Sequence, residues 1–163
     1  MDSRNSPWGD EPGGQVGVRF TPPSYPVVIE KVGFFLCYGA RYETEFRVRI
    51  CRSDAEGRPV GDDLLAHPVT AGATSGDEWL WVDVTEAMLQ IDSGDFFVCM
   101  EWLIPPGNDG SAAQMIGADS TSPAERSWWK HDDNQPWLPV NRVGSGDRNI
   151  MIRAVVRPLD SVD

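Results

Sequence analysis

The chain has 163 residues, enough for one domain and short of two. Its 14 Lys and Arg stand against 25 Asp and Glu, a net charge of −11, which excludes a nucleic-acid backbone or an anionic membrane surface as partner, since both need a positive face. A hydrophobic content of 40% with 10% aromatic residues is enough to build a core, and 16 Gly with 13 Pro stays short of low complexity, so the class is globular.

Residues 1–14 are polar, carry Pro7 and Pro12, and are expected to form a flexible arm that is neither a signal nor a transit peptide. Val16 to Phe20 alternates and stops at Thr21-Pro22-Pro23; Val27 to Tyr38 is a long apolar run. Phe46, Val48 and Ile50 then face one way and Arg47, Arg49 and Cys51 the other, the two-residue period of a half-buried strand. Ser53 to Pro59 is a loop turning at Gly57, and Leu64 to Val69 a short strand candidate. Trp79 to Val84 alternates again, and Thr85 to Gln90 is the sole helix candidate, one to two turns long. After the turn Ser93-Gly94-Asp95 comes the apolar strand Phe96 to Ile104, then the loop Pro105 to Gly110. Gln114 to Gly117, Ser127 to His131 and Ile150 to Arg157 complete the set, with a loop over Ala118 to Arg126 and a flexible tail over 159–163. About nine strands without an amphipathic helix predict an all-β, antiparallel two-sheet β-sandwich over residues 15–158. No run of about 18 apolar residues exists, so no membrane-spanning helix is expected.

Motifs for catalysis are sparse. Neither His67 nor His131 has a nucleophile motif around it, and there is no nucleophile elbow, phosphate loop or dinucleotide fingerprint. Glu101 sits in an apolar strand, as an edge or solvent-facing residue, as the partner of an arginine, or as one carboxylate of a glycoside-acting pair. Cys37, Cys51 and Cys99 read as small buried hydrophobes, with one disulfide plus a free thiol as the alternative; two His and no ligand spacing argue against zinc. Asp54/Glu56, Asp62-Asp63, Asn108-Asp109 and Asp132-Asp133-Asn134 are turn residues or, alternatively, oxygen ligands for a structural calcium; no other cofactor is expected.

The seven Trp carry the binding candidates. Adjacent Trp128 and Trp129 must point to opposite faces of a strand, so one fills the core and the other lies outward or under a loop. With Trp137, Asp132 and Asn134 they make a set suited to a sugar, the ring stacking on the apolar pyranose face and the polar groups binding hydroxyls. Trp79 and Trp81 share one strand face and form a second candidate shelf. Packing beneath loops is the competing use of all these rings.

The order of features resembles the β-sandwich modules appended to secreted bacterial peptidases, adhesins and other surface proteins. The likeness runs from Trp8-Gly9-Asp10 through Arg19-Phe20-Thr21-Pro22-Pro23-Ser24-Tyr25-Pro26, the apolar strand Ile29 to Leu36, Phe46 to Ile50, and the turn Asp54 to Pro59. It continues with Trp79 to Val84, Ser93 to Trp102 and Ile152 to Val156; Cys99 and Met100 stand where such modules carry smaller residues. The resemblance implies a jelly-roll-like sandwich of the carbohydrate-binding-module kind, without catalytic residues. The expected function is a non-catalytic accessory module of an extracellular or cell-surface bacterial protein, recognising a glycan or a protein surface. One alternative is a structural subunit that self-associates into a fibre or shell through its N-terminal arm; another is a glycoside-acting hydrolase using Glu101.

Overall fold

The computed structural model describes residues 13–37, 45–73, 75–103, 114–120, 125–140 and 148–159. The expectations placed on residues 1–12 of the arm, with the self-assembly role given to it, on Pro105 to Gly110 and on residues 160–163 lie outside the described residues. Within them the chain is all-β. Its strands are β1 Gln15–Phe20, β2 Val27–Leu36, β3 Phe46–Ser53, β4 Pro59–Val60, β5 Val69–Ala71, β6 Glu78–Asp83 and β7 Gln90–Ile91. They are followed by β8 Phe96–Trp102, β9 Ala118–Asp119, β10 Ser127–Lys130, β11 Leu138–Pro139, β12 Asn149–Ile150 and β13 Ile152–Pro158.

All pairings are antiparallel. A seven-stranded sheet runs β11-β10-β1-β8-β3-β4, with β5 also on β3; a four-stranded sheet runs β13-β2-β6, with β7 also on β2; β9 and β12 form a separate pair. The long strands β1, β2, β3, β6 and β8 fall alternately in the two large sheets, as a jelly-roll-like sandwich requires. The alternation in the sequence explains the layering. Val16, Val18, Phe46, Val48, Ile50, Phe96, Val98 and Met100 of the larger sheet meet Ile29, Val32, Phe34, Leu36 and Ile152 of the smaller in one core. Phe34 packs edge-on against Phe46 across the sheets, with ring centroids 4.9 Å apart. No helix among the described residues is long and apolar enough to cross a membrane.

Four details differ from the expectations drawn from sequence. The strand expected over Gln114 to Gly117 is reduced to a single bridge between Ile116 and Leu36, with β9 falling just beyond it in the segment expected as loop. The strand count is 13 rather than nine, because β4, β7, β9, β11 and β12 are two residues each and too short to display a period. The strand expected over Leu64 to Val69 is displaced to Val69–Ala71, since Pro68 has no N–H to give a ladder; before it, Leu64 N–H donates to Ile50 O (2.7 Å) from a bent segment. The helix expected over Thr85 to Gln90 is a single 3-10 turn, Thr85–Ala87, closed by Met88 at φ 46°. Beyond it Leu89 O accepts from Ile29 N–H (3.0 Å), and β7 joins β2.

All three cysteines are free and buried, so the disulfide alternative is not realised. Cys51 and Cys99 lie on the outward face of the larger sheet with Phe97, and their thiols share a hydrogen bond; that bond, with burial, pushes the Cys99 thiol well up. Gly17 pairs with Cys99 across β1 and β8, and a Cβ at position 17 would stand 2.6 Å from Cys99 Sγ. Gly17→Ala should therefore lower stability by about 1–3 kcal/mol through overpacking. Adding Cys99→Ala should recover most of it, as a double-mutant cycle in urea would show.

Candidate functional site

Strand β10 decides where the tryptophans go. Its register against β1 places Gly17 opposite Trp128 and Val16 opposite Trp129. Val16 faces the main core, so Trp129 follows it inward and packs on that core. Trp128 turns to the outer face, where it packs with Trp137 on Cys51, Phe97 and Cys99. The five residues singled out in the sequence therefore divide. Trp129 and Asp132 come together; Trp128 and Trp137 cover the outer face of the larger sheet; Asn134 is exposed in the turn between, its N–H donating to Asp132 Oδ1 (2.7 Å).

Trp129 and Asp132 open onto a cleft of about 350 Å³, lined also by His131, Gln135, Pro136 and Leu138. The cleft exists because the chain leaves β10 at His131, turns over Asp132 to Gln135, and returns as β11 against Trp128 and Trp129. Asp132 O accepts from Gln135 N–H (3.3 Å), and the Asn134 bond fixes the Asp132 carboxylate. His131 meets the Trp129 ring edge-on at 5.9 Å, and its Nδ1 lies 3.6 Å from Asp132 Oδ2. The result is one half-buried aromatic surface with a carboxylate, an imidazole and a primary amide at its rim. That combination is chemically suited to an amphipathic ring, apolar face on the indole and hydroxyls on the rim. Sequence reasoning missed His131, Gln135 and Leu138; the signal available was their place in the same short turn as Asp132.

On the opposite side of β10 the charged groups are closed on one another. Arg49 donates to Glu101 (3.3 Å) and lies 3.9 Å from Asp63, which also pairs with Arg47 (3.2 Å). The Gln15 amide oxygen, turned toward them, accepts from Lys130 Nζ (3.2 Å) and Arg49 Nη1 (3.0 Å). Lys130 reaches Asp133 (2.9 Å) and lies over the Trp137 ring at 5.7 Å, pinning the turn that shapes the cleft. Glu101, buried to 9% exposure on a strand flanked by β1 and β3, is neither at an edge nor facing solvent; an arginine holds it, another of the places the sequence allowed it.

Of the loop acids offered as calcium ligands, Asn108-Asp109 lie outside the described residues, and Asp54 and Asp63 have protein partners. Asp54 accepts from the backbone N–H and Nε of Arg58 (both 2.8 Å), which hold its carboxyl below the usual range. Asp63 accepts from Ile50 N–H and Leu65 N–H (both 3.1 Å). Among the described residues no group of three or more His, Cys, Asp or Glu converges for a metal ion.

No protein-family model matches this sequence, and no curated protein does. The fold is similar to a solved structure from Clostridium difficile, the cysteine protease and lectin-like domains of Cwp84, a surface layer associated protein. The superposition has a TM-score of 0.59 at 12% identity and covers 90% of this chain and 32% of that one. This chain thus spans about a third of that chain's length, and at such an identity the likeness is one of fold.

Proposed function

We propose that this domain is a non-catalytic binding module of an extracellular or cell-surface protein, and that it takes a glycan in the Trp129 cleft. The observation that carries this reading is the half-buried indole of Trp129 at the wall of a 350 Å³ cleft, with Asp132, His131 and Gln135 around it. The similarity of fold to a surface-layer-associated protein whose described part includes a lectin-like domain supports it. So does the engagement of Glu101 by Arg49, which leaves that carboxylate serving the framework.

Calorimetric titration of the full chain against a panel of neutral oligosaccharides tests the proposal. A ligand should bind with micromolar to millimolar affinity. Trp129→Ala, checked for retained β-structure by circular dichroism, should weaken it at least tenfold, the loss of one stacking surface of about 1.5 kcal/mol. Gln135→Ala, in an exposed turn, should weaken it several-fold without moving the melting temperature. Binding that is unchanged in both variants would remove the cleft from recognition.

A further inference from the structure

A second aromatic surface lies on the outer face of the four-stranded sheet, unrelated to the cleft. The register places Arg153 of β13, Gly33 of β2 and Trp81 of β6 in one row across that sheet. A Cβ built at Gly33 would stand 2.9 Å from Cε3, 2.9 Å from Cζ3 and 3.0 Å from Cη2 of Trp81. Three consecutive ring atoms at nearly one distance mean that the face of the indole, not its edge, covers the glycine. Trp81 therefore lies flat on bare backbone, and its other face is turned to solvent, leaving the residue 44% exposed.

The neighbours extend this surface. Trp79 lies beside Trp81 with ring centroids 6.0 Å apart and planes 26° from parallel, and it is steadied edge-on by Phe35 at 5.7 Å. The exposed guanidinium of Arg153 stacks on Trp79 at 4.3 Å, and no carboxylate among the described residues lies within 4.0 Å of it. Stacking of a guanidinium uses its face and leaves its N–H edges free for a bidentate anion. Lys31 follows on the same sheet, opposite Asp83 in the β2–β6 register. Among the described residues Arg153 is a cation beside the two rings with no carboxylate in ion-pair range, in a chain whose net charge is −11. Repulsion from acids further away than about 8 Å is largely screened at physiological salt.

We propose that Trp79, Trp81 and Arg153 form a second, independent binding platform for a carboxylate-bearing pyranoside, such as a uronic-acid unit of a polysaccharide. The solvent face of Trp81 packs on the C–H face of the sugar ring, and Arg153 takes the carboxylate through its two N–H edges. Gly33 is the enabling residue, since any side chain there lifts the indole off the sheet.

Titration of the full chain with oligogalacturonate, beside a neutral cello-oligosaccharide of equal length, tests the platform by tryptophan fluorescence and calorimetry. The charged oligomer should bind, and several-fold more weakly at 0.5 M salt. Trp81→Ala should weaken it at least tenfold with β-structure retained by circular dichroism. Arg153→Gln should remove the preference for the charged oligomer, and Trp129→Ala should leave binding intact. No binding of oligogalacturonate, equal binding of the neutral oligomer by the Trp129→Ala chain, whose cleft is disabled, or oligogalacturonate binding that survives Trp81→Ala would overturn the proposal. Loss in Trp129→Ala with survival in Trp81→Ala would place the carboxylated sugar in the cleft and equally refute a second site.

Discussion

Trp102→Ala is expected to be the most damaging single substitution, lowering stability by about 4 kcal/mol or more. Trp102 ends β8 at 2% exposure, and three separate supports meet on it. Its ring fills the core at the end of the sandwich. Its Nε1–H donates to Gln114 O (2.7 Å), and the buried Gln114 side chain accepts in turn from Ala73 N–H (3.1 Å). Its backbone exchanges bonds with Gly13 and Gly14, carrying the β1–β8 ladder past the start of β1. Truncation opens a cavity and leaves a buried carbonyl short of a donor, and the two costs add. Set against a typical domain stability of about 5–15 kcal/mol, that is a large share. Urea unfolding should show a lower midpoint at an unchanged slope. Trp102→Phe keeps most of the packing and should cost about half as much. A loss below about 1.5 kcal/mol for the alanine variant would show that the core closes over the gap.

Asp63→Ala should come next, at about 2–4 kcal/mol, chiefly from leaving two backbone donors without an acceptor. The Asp63 side chain is only 7% exposed. One oxygen accepts from the N–H groups of Ile50 and Leu65, tying the bent segment after β4 to the edge of β3; the other faces Arg47 at 3.2 Å and Arg49 at 3.9 Å. Alanine orphans two backbone donors and removes the carboxylate paired with Arg47, while Arg49 keeps Glu101. Asp63→Asn retains an acceptor for the backbone and should cost distinctly less. The comparison separates the hydrogen bonds from the charge in one chemical-denaturation series. Because Arg49 also holds Glu101 and Gln15, the alanine variant should raise hydrogen exchange along β3 and β8 as well as in the segment itself.

The two lessons about legibility sit in these residues. The long strands were readable because every second residue of β1, β3, β6 and β8 is apolar and points to one core. The same rule separated Trp128 from Trp129. It could not say which ring faced the core, because that depends on the register of β10 against β1, a pairing between residues far apart in sequence. Gly17 was the one local hint, being the small residue that Trp128 sits beside. Asp63 looked like any loop acid. Its role needs the neighbouring strand to supply Ile50 N–H and two arginines, and no spacing in the sequence encodes that meeting. Glu101 was placed on the right strand, yet its partner Arg49 follows only from the β3–β8 register, where Arg47 stands directly opposite and Arg49 diagonally. The Trp79–Trp81 shelf was foreseeable from a two-residue period; that Trp81 lies flat required Gly33 on the adjacent strand.

The strand order also governs how the molecule is made. β1 is inserted between β8 and β10, and β2 between β6 and β13, so the two earliest strands each wait for partners synthesised late. During translation neither can close a hairpin with its immediate successor. The emerging chain must hold the apolar run Val27–Leu36 unpaired on one edge until Ile152–Pro158 leaves the ribosome. Assembly dominated by such distant pairings belongs to the millisecond-to-second regime rather than the microsecond one. A chain truncated before β13 would present a ten-residue apolar strand to its neighbours as an aggregation seed.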